Sequence, residues 1–300
     1  MDRLSEKQEE LVFFPCGDIS LAGILTIPAR SNGSTVLIPW GSATSPSSGR
    51  NRVRARLARV VADAGFHAFR FDYQGVGESQ GEYRKPDMSK PNTQEIVAAC
   101  EWLTTRGLGR IVVVAHCFGG WSSLIAAPMI SGLEGMALVN SPVRRDHKEA
   151  LATNWRWWAS KLLKLRLGKV VSRRHRAAYR KIVATLTAQL MARWSRSKAP
   201  ASNGRQGSRF SRSIKYLLNR RIPVLLLYGD DDFYLDFKSE LDQGLRTVIS
   251  HADPPTRVVT VTERLALANL DAQNVLQREI LSWLNDLTKA TDSNRRVELA

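Results

Sequence analysis

The chain has 300 residues, 43% of them hydrophobic, which is enough for one α/β domain with an insertion or for two small domains. Three scattered cysteines are too few for a disulfide framework, and no signal peptide or membrane-spanning apolar run stands out. We therefore expect a cytoplasmic protein, soluble or peripherally bound to a membrane.

The net charge of +16 is concentrated in one segment. Residues 144–221 carry 22 Lys and Arg against two acidic residues, so this segment has a net charge of +20 and the rest of the chain −4. Such asymmetry indicates an anionic partner, for which an anionic membrane surface or an acidic carrier protein is suited. No nucleic-acid-binding motif accompanies the charge, so we do not expect sequence-specific binding of nucleic acid.

Hydrophobic patterning predicts alternating strands and helices outside the basic segment. Strands are predicted at residues 11–14, 21–27, 35–39, 67–71, 111–114, 135–140, 223–228 and 257–261. Helices are predicted at residues 52–64, 93–105 and 271–287, with arginines on the outer face of the first. This order predicts an α/β fold with a mostly parallel sheet and helices on both faces. Within the basic segment we predict helices at 155–167 and 178–194, followed by a mobile loop at 195–211.

Four motifs occur in a fixed order: TVLIPWGS, FRFDYQGVGES, AHCFGG and PVLLLYGDDD. On these motifs the chain resembles the α/β-hydrolase superfamily over residues 10–143 and 222–288. It looks most like the serine-aminopeptidase-like group, and is similar to exosortase-associated hydrolases with a cysteine elbow and an Arg- and Trp-rich insertion. The resemblance implies a hydrolase core at 1–143 and 222–300 and a basic, Trp-rich helical cap at 144–221.

Residues 115–119 (AHCFG) match the nucleophile elbow, with cysteine at the serine position. The resemblance implies that Cys117 is the nucleophile and that the amides of Phe118 and Ser42 are the oxyanion donors. A helix N-terminus favours the thiolate. The alternative is a small buried cysteine in an inactive elbow. Trp40 replaces the usual histidine before the second donor and either lines the pocket or is a core tryptophan, and His116 would support the turn.

The resemblance implies two further catalytic residues, an acid and a histidine, and only the acid has a match in the sequence. By spacing, Asp232 matches the acid of the family, with Asp236 as the substitute, although a run of aspartates after a strand also suits a solvated turn. Residues 262–269, where the family has its catalytic histidine, contain none, and Leu265 aligns with it. Of the five histidines, His67, His116 and His251 are expected to be structural or misplaced, and His147 and His175 lie in the insertion. Glu263 or an aspartate of residues 230–232 would then have to activate water.

Two functions remain open at this point. The first is an enzyme that cleaves or transfers an acyl group of an ester or thioester, a small-molecule substrate, through Cys117. The second is a catalytically inactive binding or accessory protein that acts at an anionic membrane or in a glycan-assembly system. No phosphate-binding loop, dinucleotide fingerprint or metal-ligand cluster is evident in the sequence, so we expect no cofactor and no metal.

Overall fold

A computed structural model of the chain describes residues 8–41, 46–87, 89–141, 209–229, 246–252, 255–262 and 270–298. The chain divides into two compact units, residues 1–145 with 208–300 and residues 146–207. The second unit, which contains both predicted helices of the insertion, lies outside the described residues.

The described strands form one eight-stranded sheet in the order β1-β2-β4-β3-β5-β6-β7-β8. They are β1 Gln8–Cys16, β2 Ile19–Ile27, β3 Thr35–Leu37, β4 His67–Phe71, β5 Ile111–His116, β6 Leu133–Val139, β7 Val224–Gly229 and β8 Arg257–Val261. Only β2 runs antiparallel to its neighbours in this sheet; the other described pairs are parallel. All residues of β5 and β7 are buried, as expected for central parallel strands covered on both faces.

Helices cover both faces of the sheet. They are α1 Val53–Asp63, α2 Thr93–Thr105, α3 Phe118–Ala126, α4 Arg209–Asn219, α5 Arg246–Ser250 and α6 Leu270–Glu298. One hydrophobic cluster packs α2, α3 and α4 against the sheet, and a second packs α1 and α6 against it. Successive residues of β5 alternate between the two clusters, with Val113 in the first and Val112 and Val114 in the second. The predicted α/β fold is confirmed.

Several predicted boundaries differ from the structure. Helix α4 begins at Arg209, inside the predicted mobile loop, because Phe210, Ile214 and Leu217 bury one helical face in the core. In the division into compact units, the second unit ends at residue 207 and α4 belongs to the first. Helix α6 continues to Glu298, past the predicted end at 287. The prediction that arginines lie only on the outer face of α1 was wrong for Arg54, which is 1% exposed.

Candidate active site

Cys117 joins the end of β5 to the start of α3 in a sharp turn. Its backbone has φ 54° and ψ −127°, a conformation that L-residues rarely adopt and that costs energy. Its N–H donates to the carbonyl of Val139 at 2.9 Å, and its carbonyl accepts from the N–H of Trp121 at 3.2 Å. The side chain is only partly buried. The turn therefore holds the thiol in a partly exposed, strained position after the C-terminal end of a central strand, as in a nucleophile elbow.

Two glycines allow the turn to pack closely against its neighbours. A Cβ on Gly119 would lie 2.6 Å from the carbonyl oxygen of Pro39, which belongs to the segment after β3. A Cβ on Gly120 would overlap the hydroxyl of Ser141, which follows β6. The small residues of AHCFGG are therefore required by backbone contacts on both sides of the elbow.

Of the two predicted oxyanion donors, Phe118 directly follows this turn and Ser42 lies outside the described residues. Phe118 is the first residue of α3, so its amide has no acceptor within the helix and lies at the positive end of the helix dipole. Ser42 is outside the described residues, but the residue before it is placed. The N–H of Gly41 donates to the carbonyl of His116 at 2.9 Å, so the residue before Ser42 is attached to the last residue of β5.

His116 and Trp40 form a buried aromatic pair under the elbow. Their ring centroids lie 4.6 Å apart with 17° between the planes, and Trp40 is 4% exposed. Burial, together with the charge of Arg54, lowers the pKa of His116 to about 3. Nδ1 of His116 and Nε1 of Trp40 have no hydrogen-bond partner among the described residues. A neutral, buried imidazole is suited to packing and not to proton transfer at the thiol.

The other histidines in the described ranges lie away from Cys117. His67 begins β4, at the opposite end of the parallel strands from the elbow, and its Nδ1 is 3.3 Å from Oγ of Ser31. Exposed His251 contacts the carbonyl of Thr247 through Nδ1 at 2.7 Å. The remaining candidates lie outside the described residues: His147, His175, Asp232, Asp236, Glu263 and Leu265.

Asp72 and Arg54 are two buried charged side chains that sequence reasoning did not name as site residues. Asp72, which follows β4, accepts a hydrogen bond from the N–H of Ser47, and burial raises the pKa of its carboxyl. Burial lowers the pKa of Arg54 to about 10, and the charges of the two groups are coupled. A Cβ on Gly77 would overlap Oδ2 of Asp72, which explains a glycine of the FDYQGVGES motif. Asp72 belongs to that motif, whereas the sequence does not distinguish Arg54 from the other arginines of α1.

Comparison with known proteins agrees with this geometry. A family model described as serine aminopeptidase, S33, matches residues 50–261, more than half of the chain. The chain belongs to this family.

Solved structures of other α/β hydrolases share the fold of this family member. An esterase of Pyrococcus furiosus superposes with a TM-score of 0.63 at 15% identity, covering 95% of this chain and 91% of the esterase. A proline iminopeptidase of Mycobacterium smegmatis gives 0.57 at 18% identity, with 94% and 100% covered. The esterase domain of a Rhodothermus marinus protein gives 0.55 at 16% identity, with 92% and 96% covered. No curated protein matches the sequence.

At the elbow this member of the serine aminopeptidase family carries a cysteine, Cys117. In the described parts of the chain, no helix is both long and apolar enough to cross a membrane. The same parts contain no cluster of three or more side chains able to hold a metal ion.

Proposed function

We propose that the protein takes up an acyl group on Cys117 from a thioester or activated ester and then passes it to water or to another acceptor. The observation that carries the proposal is the backbone of Cys117, which is held in a strained and partly exposed turn. Strain of this kind persists only where the surrounding structure enforces it, and it is concentrated at functional sites. Membership of a hydrolase family supports the same reading.

Acylation would proceed by attack of the Cys117 thiolate on the acyl carbonyl carbon. The new bond joins Sγ to carbon, and the carbonyl oxygen becomes an oxyanion that accepts a hydrogen bond from the amide of Phe118. Collapse of this intermediate breaks the bond to the leaving group, which departs with the electron pair. The N-terminus of α3 stabilises negative charge on both the thiolate and the oxyanion.

The placement of the histidines supports thioesters as the preferred substrate class. Residues 262–269 contain no histidine, and His116 is buried against Trp40. A serine in this elbow would need a base, whereas a thiol with a pKa near 8.5 ionises appreciably by itself. Without a general acid the leaving group departs as an anion, and a thiolate does so more readily than an alkoxide. The same argument favours activated esters over simple alkyl esters.

Release of the acyl group is the more demanding step, because water must lose a proton as it attacks. From the sequence we assign this task to Glu263 or an aspartate of residues 230–232, with Asp232 as the family acid and Asp236 as its substitute. An amine or thiol acceptor needs less activation than water. Transfer to such an acceptor is therefore expected to be faster than hydrolysis.

The basic segment is assigned to partner binding. Its net charge of +20 over residues 144–221 exceeds what solubility requires. An anionic membrane surface or an acidic carrier protein that delivers the acyl group would be attracted to it. Binding to vesicles with and without anionic lipid, at low and high salt, tests this assignment.

Intact-protein mass spectrometry tests the acylation. The chain is incubated with acetyl-coenzyme A and with N-acetylcysteamine thioesters of increasing acyl length, beside Cys117→Ala, Cys16→Ala and Cys100→Ala. Burial raises the pKa of Cys16 and raises that of Cys100 to about 12, so both serve as comparison thiols that ionise less readily than an ordinary cysteine. We expect one acyl adduct in the wild type and in the Cys16 and Cys100 variants, and none in Cys117→Ala.

The fate of the adduct separates the two reactions. Decay in buffer alone indicates hydrolysis, and decay only with an added amine or thiol indicates transfer. No adduct across the panel, together with slow alkylation of Cys117 by iodoacetamide, would contradict the proposal and indicate a binding protein.

A further inference from the structure

A basic cavity of about 570 Å³ lies between the segment after β4 and the first residues of α2, and this volume suits a small-molecule site. Three exposed cations line it: Arg84, Lys85 and Lys90. Outside residues 144–221 the chain has a net charge of −4, so this group of cations is a local exception. None of the three forms an ion pair with another residue in the described parts of the chain. Unpaired cations around one cavity indicate an anionic ligand.

Two carboxylates also line the basic cavity, and both already accept hydrogen bonds. Oδ1 of Asp87 accepts from the N–H and the hydroxyl of Ser89 at 2.8 and 2.7 Å. Glu95 is 6% exposed, and its Oε1 accepts from the N–H of Gln74 at 3.0 Å. Three cations against two carboxylates leave the lining with a net charge of +1. The cations therefore remain available to an incoming anion.

The basic cavity lies at the same edge of the sheet as Cys117. Helix α2 connects β4 to β5, so its first residues lie beside the C-terminal ends of these strands, where the elbow also lies. Asn92, which lines the cavity, donates its N–H to Oγ of Ser122 on α3 at 3.0 Å. Ser122 follows Cys117 by five residues, or about 8 Å along the helix axis. The flexible arm of a thioester can therefore reach from the cavity to the thiol.

We infer that the basic cavity binds phosphate groups on the leaving thiol of the thioester from which Cys117 takes its acyl group. The inference rests on the proposed function and specifies its substrate class. Guanidinium and ammonium groups suit phosphate, because hydrogen bonds between charged partners are stronger than neutral ones. Binding at this second point reduces the entropic cost of bringing the thioester carbonyl to Sγ. The thiol portion then leaves as a thiolate and takes its phosphates with it.

The test compares donors of the same acetyl group. Acetyl-coenzyme A carries phosphates on its thiol portion, whereas acetyl-N-acetylcysteamine carries none. S-acetylphosphopantetheine carries one phosphate and so separates the phosphate nearest the thioester from those of the nucleotide. The cavity variant combines Arg84→Gln, Lys85→Gln and Lys90→Gln. Because all three side chains are exposed, we expect the variant to fold, and circular dichroism checks this.

A matched control removes the same positive charge elsewhere, through Arg30→Gln, Lys215→Gln and Arg220→Gln. These three residues are also exposed. Arg30 follows the antiparallel strand β2 and Arg220 precedes β7, so both lie at the edge of the sheet opposite to the elbow. The control variant therefore separates loss of the basic cavity from loss of net charge.

At low salt we expect the cavity variant to be acylated by acetyl-coenzyme A about 10-fold more slowly than the wild type, from the combined loss of three exposed ion pairs. Its rate with acetyl-N-acetylcysteamine should equal that of the wild type. The control variant should keep the wild-type rate with both donors. Added salt should remove the difference between the cavity variant and the wild type.

An unchanged rate of the cavity variant with acetyl-coenzyme A, or an equal loss with both donors, would overturn the inference and leave the proposed function intact. Calorimetry of acetyl-coenzyme A with Cys117→Ala, with and without the cavity substitutions, gives a second readout that needs no acylation. Binding that these substitutions do not weaken also overturns the inference. A wild-type chain that binds acetyl-coenzyme A through the cavity but is never acylated overturns the proposed function and leaves the phosphate site standing.

Discussion

The imidazole of His116 lies parallel to the indole of Trp40, with 4.6 Å between ring centroids and 17° between the planes. This contact buries His116, the residue directly before Cys117, against an aromatic ring. Burial there lowers its pKa to about 3, so it is neutral across the physiological range. The residue beside Cys117 therefore contributes to the elbow by packing, and the proposed acyl transfer would proceed without it as a base.

We predict that His116 makes stability depend on pH. Its ordinary pKa is 6.5 and its native pKa is about 3, so between these values the unfolded state binds a proton that the native state does not. The free energy of unfolding therefore falls as the pH falls from about 6.5 toward 3, by up to about 1.4 kcal/mol per pH unit from this group. Urea unfolding of wild type and His116→Gln from pH 8 to pH 4 measures the difference.

The difference in unfolding free energy between wild type and His116→Gln should be constant above pH 7 and should shrink as the solution is acidified. His251→Gln is the control, because His251 is exposed on the surface. Parallel pH profiles for wild type and His116→Gln would show that the pKa of His116 is not lowered in the native state.

Alanine substitutions at the two elbow glycines should differ in whether a second substitution can restore stability. Gly120→Ala is expected to cost about 1–3 kcal/mol, because the new methyl group overlaps the Ser141 side chain. Adding Ser141→Gly removes that side chain, whose hydroxyl has no partner among the described residues, and should recover much of the loss. Gly119→Ala meets the Pro39 carbonyl at 2.6 Å and should not be rescued by any side-chain change. Thermal melts of the three variants and the wild type decide this.

Replacing Cys117 by glycine should stabilise the protein while abolishing acylation. Glycine adopts φ 54° and ψ −127° without the steric cost that a Cβ imposes. Cys117→Ala is the matched control, since it removes the thiol but keeps the Cβ. We expect Cys117→Gly to be about 1 kcal/mol more stable than Cys117→Ala in urea. A glycine variant that is less stable than the alanine variant would show that the turn is not strained.

Trp283→Phe should lower stability without changing the acylation rate. Trp283 is fully buried on α6, and its Nε1 donates to the carbonyl of Pro255 at 3.1 Å, just before β8. Trp283→Phe leaves that carbonyl unpaired and a gap beside Gly135, so we expect a loss of about 1–3 kcal/mol. Both contacts lie near the starts of parallel strands, at the sheet edge away from Cys117. The acylation rate should therefore equal that of the wild type at temperatures where both are folded.

Local patterns were sufficient for much of the sheet. The strands at His67–Phe71 and Arg257–Val261 and the helix Thr93–Thr105 begin and end where their hydrophobic periodicity does. Helix α6 extends further because a helical backbone can continue after its buried stripe ends. The start of α4 was missed because the Ser- and Gly-rich residues before it predict a loop, whereas burial of Phe210 and Ile214 stabilises a helix.

The elbow could be predicted because its residues are contiguous in the sequence. The contacts that support it could not be predicted. Cys117 and Phe118 follow from the strand and glycines around them. By contrast, Ser141 contacts Gly120, and Asp72 contacts Ser47, through pairs that are distant in the chain. Nothing in the helical pattern of α1 separates buried Arg54 from Arg56 and Arg59, which are only partly buried, since the burial of Arg54 depends on the backbone of the Pro46 turn.

The difference in burial among the three cysteines offers a measure of how far the chain has unfolded. Cys100 is enclosed between α2 and the sheet, while Cys117 and Cys16 are partly accessible. In the folded protein a brief pulse of alkylating reagent should therefore reach Cys117 and Cys16, and it should add mass to Cys100 only when the α2 layer separates from the sheet. Alkylation of Cys100 would then report loss of this part of the core as one further mass increment, with no engineered label.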